Sequence, residues 1–385
     1  MPIKTAYDKL EGYIKRENYQ GYDPYDTLNS YIPFKYLGKW PSAIATQIQK
    51  RNPFNIRPFL GIKKGINPKA FGLFLQAYSL LYQNSKKPEH LETAEYFFNW
   101  LRENYSTGYS GYAWGYNFPW SNPQKYMDAL VPSAVVSGFI AKGIFEYYQI
   151  TKNHEAAKIL ESICLFLDND LEKVSDSTGI SISYTPVEKD VCFNASLLAA
   201  EVFAKTASIN QNEKLRELAI KAVDFVVDKQ HDDGRWNYSM NVSLTKEQSQ
   251  IDFHQGYVLE SIYEISNVLK VSNSAWENAL TKGIKFYIEN QFNPSGYSYW
   301  RLPKKYPIEI HNQSQGIITM LMLKDYYPRS EEFAKKIAIW TIDYMQANDG
   351  HFYYQKFKTH TNKISYMRWN NAWMFLALTY LKKSE

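Results

Sequence analysis

The sequence is poor in cysteine and has no long apolar run. Its two cysteines, Cys164 and Cys192, are too few for a disulfide framework. No apolar stretch approaches the roughly 18 residues that span a bilayer. The N-terminus MPIKTAYDKLEGYIKRE is charged throughout and lacks the apolar centre of a signal peptide. These absences predict a soluble, cytoplasmic protein without a membrane span.

An excess of charge of one sign is also lacking. The 44 Lys and Arg against 39 Asp and Glu give a formal charge of +5 over 385 residues, without long basic runs. Nucleic-acid binding therefore has little support. Aromatic residues, by contrast, make up 16% of the chain. Tyr and Trp combine an apolar face with a polar edge, which suits a sugar cleft but also the core of a large helical ring.

A repeated helix start divides the chain into units of about 60 residues. Six segments contain a polar residue, then Ala or Gly, then an apolar run at helical spacing. A second helical pattern lies between them, as in residues 220–230 and 338–346. The small residues, at intervals of 64, 61, 61, 60 and 56 residues, are Ala70, Ala134, Ala195, Gly256, Gly316 and Ala372.

Six helix pairs predict an all-α fold, an (α/α)6 toroid in which an inner and an outer ring of helices form a single domain. The small residues would let the inner helices approach each other near the axis. Residues 67–385 would form the toroid. Residues 1–66 would be an N-terminal segment that supplies the closing outer helix, with WPSAIATQIQKR (40–51) as the candidate.

The loop after each outer helix also repeats. It reads QHDDGRW (230–236), QFNPSGYSYW (291–300) and QANDGHFYY (346–354), which is Gln, a polar turn, Gly and then aromatic residues. Asp and Asn favour turns, and Gly supplies a positive φ. Asp232 and Asp233 are therefore predicted to be turn residues and not catalytic acids.

This loop carries a family resemblance. QHDDGRW resembles Q-x-x-x-G-x-W, the repeat motif of the terpenoid-cyclase and protein-prenyltransferase toroids, although the other copies depart from it. The chain also resembles toroid proteins of bacterial polysaccharide-biosynthesis loci, through DFHQG (252–256) and RWNNAW (368–373). The prenyltransferase resemblance implies a zinc site at Asp190, Cys192 and His254. Apart from that alternative, no metal or cofactor is predicted.

The starts of the inner helices would bring polar residues to one mouth of the ring. His254 is the candidate general base or acid, with Asp252 and Tyr366 as the other catalytic candidates. An acidic series precedes the inner helices at Asp128, Asp190, Asp252 and Glu309, and His311 is either functional or a buried capping residue. The predicted substrate-binding residues are Asn194, Gln255, Gln313, Arg368, Trp369, Asn371, Tyr112, Trp114, Trp236 and Trp300.

Three classes of function remain open. The favoured one is an enzyme acting on an acidic oligo- or polysaccharide. Arg368 would hold the carboxylate while His254 moves the adjacent proton, as in a uronosyl epimerase or lyase. A hydrolase would instead need two carboxylates across the bond. The C-terminal toroid of glucuronyl C5-epimerases has a similar architecture.

The two alternatives are a non-catalytic toroid that binds a glycan or a protein partner, and an isoprenoid enzyme. Against the isoprenoid enzyme, the sequence lacks the D-x-D-D motif of proton-initiated cyclases. The oligomeric state stays open. If His254 and Arg368 act in the site and do not hold the fold together, replacing either with Ala is expected to abolish activity with little loss of stability.

Overall fold

The computed structural model describes residues 2–121 and 126–384, and helices dominate this part of the chain. A π-helical turn, Met367–Ala372, leads into the last helix. The helices are α1 (Pro2–Arg16), α2 (Phe34–Leu37), α3 (Lys39–Arg51), α4 (Pro68–Ser85), α5 (Pro88–Glu103), α6 (Ala134–Thr151), α7 (His154–Asn169), α8 (Phe193–Asn210), α9 (Glu213–Asp228), α10 (His254–Leu269), α11 (Ser274–Gln291), α12 (Ile310–Met322), α13 (Ser330–Met345) and α14 (Trp373–Ser384).

Alternate helices form an inner and an outer layer, and the predicted (α/α)6 toroid is confirmed. In α8, every residue from Phe193 to Ala207 is buried, so this helix is packed on all sides. The outer helix α9 instead buries one stripe, from Leu215 to Val226, and exposes its charged face. The inner helices are α4, α6, α8, α10, α12 and α14, and none of the described helices has the length and apolar character needed to cross a bilayer.

Short antiparallel strands occupy the connections from outer to inner helices, so they gather at one end of the ring. They form four small sheets in the described ranges. Two of these sheets join successive units, because Val191 pairs with Met240 and Ile308 pairs with Lys356. The strands are β1 (Trp120–Ser121), β2 (Tyr126–Met127), β3 (Lys173–Ser175), β4 (Ile180–Ile182), β5 (Val191–Cys192), β6 (Ser239–Met240), β7 (Glu247–Gln248), β8 (Ile308–Glu309), β9 (Gln355–Lys356) and β10 (Thr361–Asn362).

The glycines of the repeated aromatic loops show how the ring closes. A methyl group on Gly234 would lie 2.3 Å from the carbonyl oxygen of Lys282 in α11, the next outer helix. A methyl group on Gly350, in the last loop, would lie 2.1 Å from the carbonyl oxygen of Lys9 in α1. Helix α1 also packs against α13 and α14. It therefore takes the sixth outer position.

Residues 40–51, expected to supply this closing helix, are helical but lie elsewhere. They form most of α3, which packs against α2 and β1 and contributes Gln47 and Lys50 to a cavity at the strand end of the ring. The physical reason lies in the buried faces of the two helices. Helix α3 buries Ser42, Ala43, Thr46 and Gln49, whereas α1 buries the apolar stripe Ile3, Ala6, Tyr7, Leu10 and Ile14.

Candidate active site

A cavity of about 650 Å³ opens at the N-terminal ends of the inner helices. Its volume falls within the range of small-molecule sites. The walls come from the first turns of α4, α8, α10 and α12, from the π-helical turn before α14, and from the strands above them. Helix N-termini and polar loop side chains thus face a common space, as the sequence predicts.

His254 and Asp252 form a hydrogen-bonded pair on the cavity wall. The distance between His254 Nδ1 and Asp252 Oδ1 is 2.5 Å, and the second carboxylate oxygen accepts from Gln250 and Arg301. Burial alone would raise the pKa of Asp252, but His254 and Arg301 outweigh it and hold this pKa below its usual value. An ionised Asp252 fixes the proton of His254 on Nδ1, which leaves Nε2 as the proton acceptor.

A second histidine lies behind the first. Phe253 lies between the two imidazoles, with ring centroids 4.2 Å from His254 and 4.3 Å from His311. His311 is 1% exposed, and its Nε2 is 2.5 Å from the hydroxyl of Tyr257. Burial lowers the pKa of His311 well below its usual value, and Lys69 and Arg368 lower it further. A neutral His311 therefore shares a hydrogen bond with the hydroxyl of Tyr257.

Two buried basic side chains face this aromatic group. Arg368 makes a bidentate ion pair with Asp23, with distances of 2.6 and 2.8 Å, and both residues are buried. Lys69 is 3% exposed, and its Nζ lies 4.0 Å from the centre of the Phe139 ring. In the part of the chain that the structure describes, no acidic side chain pairs with Lys69. Burial lowers the pKa of Lys69 well below its usual value.

The predicted acidic series divides into two groups. Asp190, Asp252 and Glu309 line the cavity. Glu309 accepts from Trp369 Nε1 and Gln355 Nε2, at 2.9 and 2.8 Å. Asp128 instead lies on the surface, where it pairs with Lys35. Its place in the sequence pattern does not bring it to the mouth, and more than half of its side chain is exposed beside the Lys35 ammonium.

The residues predicted for the site are only partly brought together. Tyr366, a catalytic candidate, is fully buried against Arg57 and lies outside the cavity lining. Seven candidates lie outside that lining: Tyr112, Trp114, Trp236, Gln255, Gln313, Tyr366 and Asn371. Six candidates line the cavity: Asn194, Asp252, His254, Trp300, Arg368 and Trp369.

Three of the outlying candidates hold the repeated loops in place. The side-chain oxygens of Gln255, Gln313 and Asn371 accept from the backbone N–H of Trp236, Ser298 and Phe352. Ser137 and Ser196 play the same part in earlier units, for Trp114 and Ile182. One side chain on each of four inner helices, and one in the π-helical turn before α14, thus satisfies a buried loop donor. We call these five residues loop clamps.

Two tryptophans predicted to contact sugar are instead part of the hairpin packing. Trp114 and Trp236 are 1% and 2% exposed, and each indole donates to a carbonyl of the preceding outer helix, Leu101 or Val226. Tyr112 is half-buried beside Tyr105, with ring centroids 4.2 Å apart. Only Trp300 and Trp369, among the predicted tryptophans, face the cavity.

The zinc alternative does not fit the donor geometry. Within residues 2–121 and 126–384, no three His, Cys, Asp or Glu side chains form a group that could hold a metal ion. The Cys192 thiol instead donates to Asn194 Oδ1 at 3.1 Å, and Asp190 accepts from the backbone N–H of Tyr184. Asp190, Cys192 and His254 share the cavity wall without converging on one point.

Several cavity residues were not predicted from the sequence. Lys69 could have been recognised as a lysine in the first turn of an otherwise apolar inner helix, NPKAFG. Tyr257 follows the repeated glycine by one residue, but nothing in the pattern distinguishes it from core. Arg301 and Asn312 lie in loop and helix positions without a repeated counterpart.

The architecture agrees with comparisons to known structures. No family model matches the chain, and no curated protein matches its sequence. A cellobiose 2-epimerase from Bacillus thermoamylovorans is 14% identical, with a TM-score of 0.67 over 83% of this chain and 88% of that one. A GH76 α-mannanase from Bacteroides thetaiotaomicron is 17% identical, with a TM-score of 0.62 over 82% and 86%.

An unsaturated glucuronyl hydrolase specific for heparin covers the full length of this chain. It is 12% identical, with a TM-score of 0.65 over 100% of this chain and 97% of that one. At these identities the likeness defines the fold. The chain is therefore an (α/α)6 toroid, with the fold of these proteins and a cavity at the N-terminal ends of its inner helices.

Proposed function

We propose that the protein is an enzyme that moves a proton on a saccharide, and that its substrate carries a carboxylate. The observation that carries this proposal is the Asp252–His254 pair on the cavity wall. A carboxylate that orients an imidazole is an arrangement suited to a general base. The similar structures supply a class of substrate, since their names refer to cellobiose, mannan and an unsaturated glucuronyl sugar.

In the proposed reaction, His254 Nε2 takes the proton from the carbon next to the sugar carboxylate. The electron pair of the broken C–H bond moves into the carboxylate and forms an enediolate. Return of a proton to the opposite face gives the epimer. Departure of the oxygen substituent on the next carbon, which takes a proton from Tyr257 as it leaves, gives a double bond and a cleaved chain. Both outcomes need the same first step.

The groups around His254 support this step. Lys69 is a buried amine without an acidic partner among the described residues, and burial lowers its pKa. The carboxylate of a bound substrate would favour its protonated form. Lys69 could then hold the carboxylate and stabilise the enediolate. Burial raises the pKa of Tyr257 well above its usual value, which keeps this hydroxyl protonated as a proton donor. Trp300 and Trp369 line the cavity and would contribute apolar ring surface to sugar binding.

Hydrolysis fits the carboxylates of the cavity less well. A glycosidase needs one carboxyl group that is protonated and can give its proton to the leaving oxygen. Asp252 has a lowered pKa and accepts from three neighbouring side chains. One oxygen of Glu309 accepts a hydrogen bond from Trp369, and the other accepts one from Gln355. We therefore favour epimerisation or elimination.

The test is solvent exchange of the substrate carbon-bound proton. The protein is incubated in D₂O with uronate-containing oligosaccharides and, in parallel, with neutral reducing disaccharides. NMR follows deuterium uptake, and ultraviolet absorbance follows the double bond of elimination. We expect uptake only next to the carboxylate, and we expect His254→Gln to slow it about a hundredfold or more.

The chain offers a matched control for this variant. Asp349 and His351 have the same spacing, with His351 Nδ1 2.6 Å from Asp349 Oδ1, but they lie away from the cavity. His351→Gln should leave exchange unchanged. Exchange that survives His254→Gln would refute the assigned base. Binding of a glycan without any exchange would leave a non-catalytic glycan-binding toroid.

A further inference from the structure

Helix α3 buries small and polar residues and exposes apolar ones, which is the reverse of outer helices such as α1 and α9. Its buried face carries the small or polar residues Ser42, Ala43, Thr46 and Gln49. Its outer face carries Trp40, Ile44 and Ile48, which are 57%, 55% and 66% exposed. Residues four apart lie on one side of a helix, so these three form a continuous apolar stripe. More than half of each of these three side chains is exposed to water.

The apolar surface extends beyond this helix. Tyr36 and Leu37 of the preceding helix α2 are 86% and 53% exposed. Helix α2 is tied to α3 because Ser42 Oγ donates to the carbonyls of Phe34 and Gly38. Tyr31, which precedes these two helices, and Phe59, which follows them, are also exposed. The two ends of the segment meet where the Tyr31 N–H donates to the carbonyl of Leu60. The five most exposed large hydrophobic residues of the described chain are Tyr31, Tyr36, Ile48, Phe54 and Phe59.

The charged residues of this segment have one sign. Between Asp26 and Glu89 the sequence contains ten Lys and Arg and no Asp or Glu. Within residues 31–64, five of the basic side chains are exposed: Lys35, Lys39, Arg51, Lys63 and Lys64. Of these, Lys35 pairs with Asp128 and Lys64 pairs with Glu17, both from outside the segment. The rest of the chain is nearly balanced, so this concentration is local. An apolar stripe with exposed cations around it is complementary to a surface that is apolar inside and anionic outside.

We propose that residues 31–64 bind the surface of an anionic lipid bilayer. The stripe Trp40, Ile44 and Ile48 would enter the boundary between headgroups and acyl chains, and the flanking cations would contact the headgroups. Trp and Tyr are enriched at this depth of a bilayer because they combine an apolar ring with a polar edge. The helix has 13 residues, which is too short to span a bilayer, so it would lie along the bilayer surface.

This surface is joined to the cavity. Gln47 and Lys50 of the same helix line the cavity, and Lys50 bonds the hydroxyl of Tyr25. Binding through the outer face of α3 would therefore bring the cavity wall close to the lipid headgroups. The inference rests on exposure and charge, so it holds whether or not the cavity accepts a saccharide.

The test uses sedimentation with vesicles of phosphatidylcholine alone and of phosphatidylcholine with phosphatidylglycerol. We expect binding to the anionic vesicles, weak binding to the neutral ones, and loss of binding at high salt. The double variant I44S/I48S should lower the partition coefficient about tenfold or more, because it removes two inserted aliphatic side chains. The variant K39Q/K63Q should lower it severalfold on anionic vesicles only.

The control is L165S/I339S, which removes two aliphatic side chains that are 51% and 41% exposed on the outer helices α7 and α13. It should bind vesicles as the wild type does. All variants change exposed residues, and circular dichroism checks that they fold. No binding to anionic vesicles, or equal binding by I44S/I48S, would overturn the proposal. So would a concentration-dependent dimer that I44S/I48S abolishes, since a second copy would then cover the stripe.

Discussion

Arg368 and His254 line one cavity, but their surroundings differ. The guanidinium of Arg368 is buried and bonded to both oxygens of Asp23, so its charge is compensated inside the protein. His254 is partly exposed to the cavity, and its Nε2 carries no structural bond among the described residues. The first residue holds the wall of the cavity and anchors the N-terminal segment. The second is free to react.

This difference corrects the expectation that both could be replaced without loss of stability. Arg368→Ala leaves the Asp23 carboxylate buried without its counter-charge, although it still accepts from the backbone N–H of Tyr25. This loss should lower the free energy of unfolding by about 3–5 kcal/mol. Denaturation by urea would measure the loss. His254→Ala should cost far less, because Asp252 keeps Arg301 and Gln250. Equal, small losses for the two variants would contradict the ion-pair assignment.

A second buried charge predicts a dependence of stability on pH. Glu260 of α10 lies inside the ring beside Lys142, Glu201 and Thr319. Burial raises its pKa from 4.5 to about 7, although Lys142 and the bond from Thr319 oppose the rise. The native state thus binds this proton more tightly than the unfolded chain does. Stability from this group is complete below about pH 4.5 and is lost as the pH rises to about 7.

Glu260→Gln should remove this contribution. The variant should be more stable than the wild type at pH 8 by up to about 3 kcal/mol and nearly equal to it at pH 4. Chemical denaturation across this pH range would test the difference. Glu103→Gln on the exposed end of α5 is the control and should follow the wild type. A constant gap between Glu260→Gln and the wild type at every pH would refute the assignment.

At the scale of helices and loops, the repeated loop glycines combine two requirements. Gly234 has a φ of +93°, and a methyl group there would also meet the Lys282 carbonyl oxygen at 2.3 Å. Gly108, with a φ of +89°, has open space around it. Gly234→Ala should therefore destabilise the protein by more than Gly108→Ala, which costs about 1–2 kcal/mol through φ alone. Thermal denaturation compares the two, and equal losses would show that the contact with α11 is unimportant.

The sequence predicts the helix units well and the roles of their polar residues poorly. Spacing near 60 residues and helical periodicity identify the inner helices because these signals are local. Gln255 and Gln313 occupy helix starts at the mouth, yet they turn sideways to bind loop backbone. A polar residue at a helix start can be either a loop clamp or a substrate-binding residue. The two roles differ only in the direction of the side chain, which the sequence does not reveal. His254 and Asp252 were recognised because their chemistry, and not their position alone, is distinctive.

At the scale of the whole molecule, the closing helix comes from the opposite end of the chain to its neighbours. Helix α1 contacts α13 and α14, more than 300 residues away, so no local pattern could identify it. The candidate at residues 40–51 lay nearer to the toroid in sequence. Its apolar residues, however, point outwards, and a helix that closes a ring must bury an apolar stripe against two neighbours.

This closure predicts that the stability of the whole ring depends on one N-terminal side chain. Leu10 of α1 is 0% exposed, so Leu10→Ala should lower the free energy of unfolding by about 2–5 kcal/mol. Leu165→Ala, at a 51% exposed position of the outer helix α7, is the matched control and should change it by less than about 1 kcal/mol. Hydrogen exchange should show α13 and α14 losing protection together in Leu10→Ala, because they form the edges that α1 joins. A ring that kept its stability in this variant would be closed by some other segment.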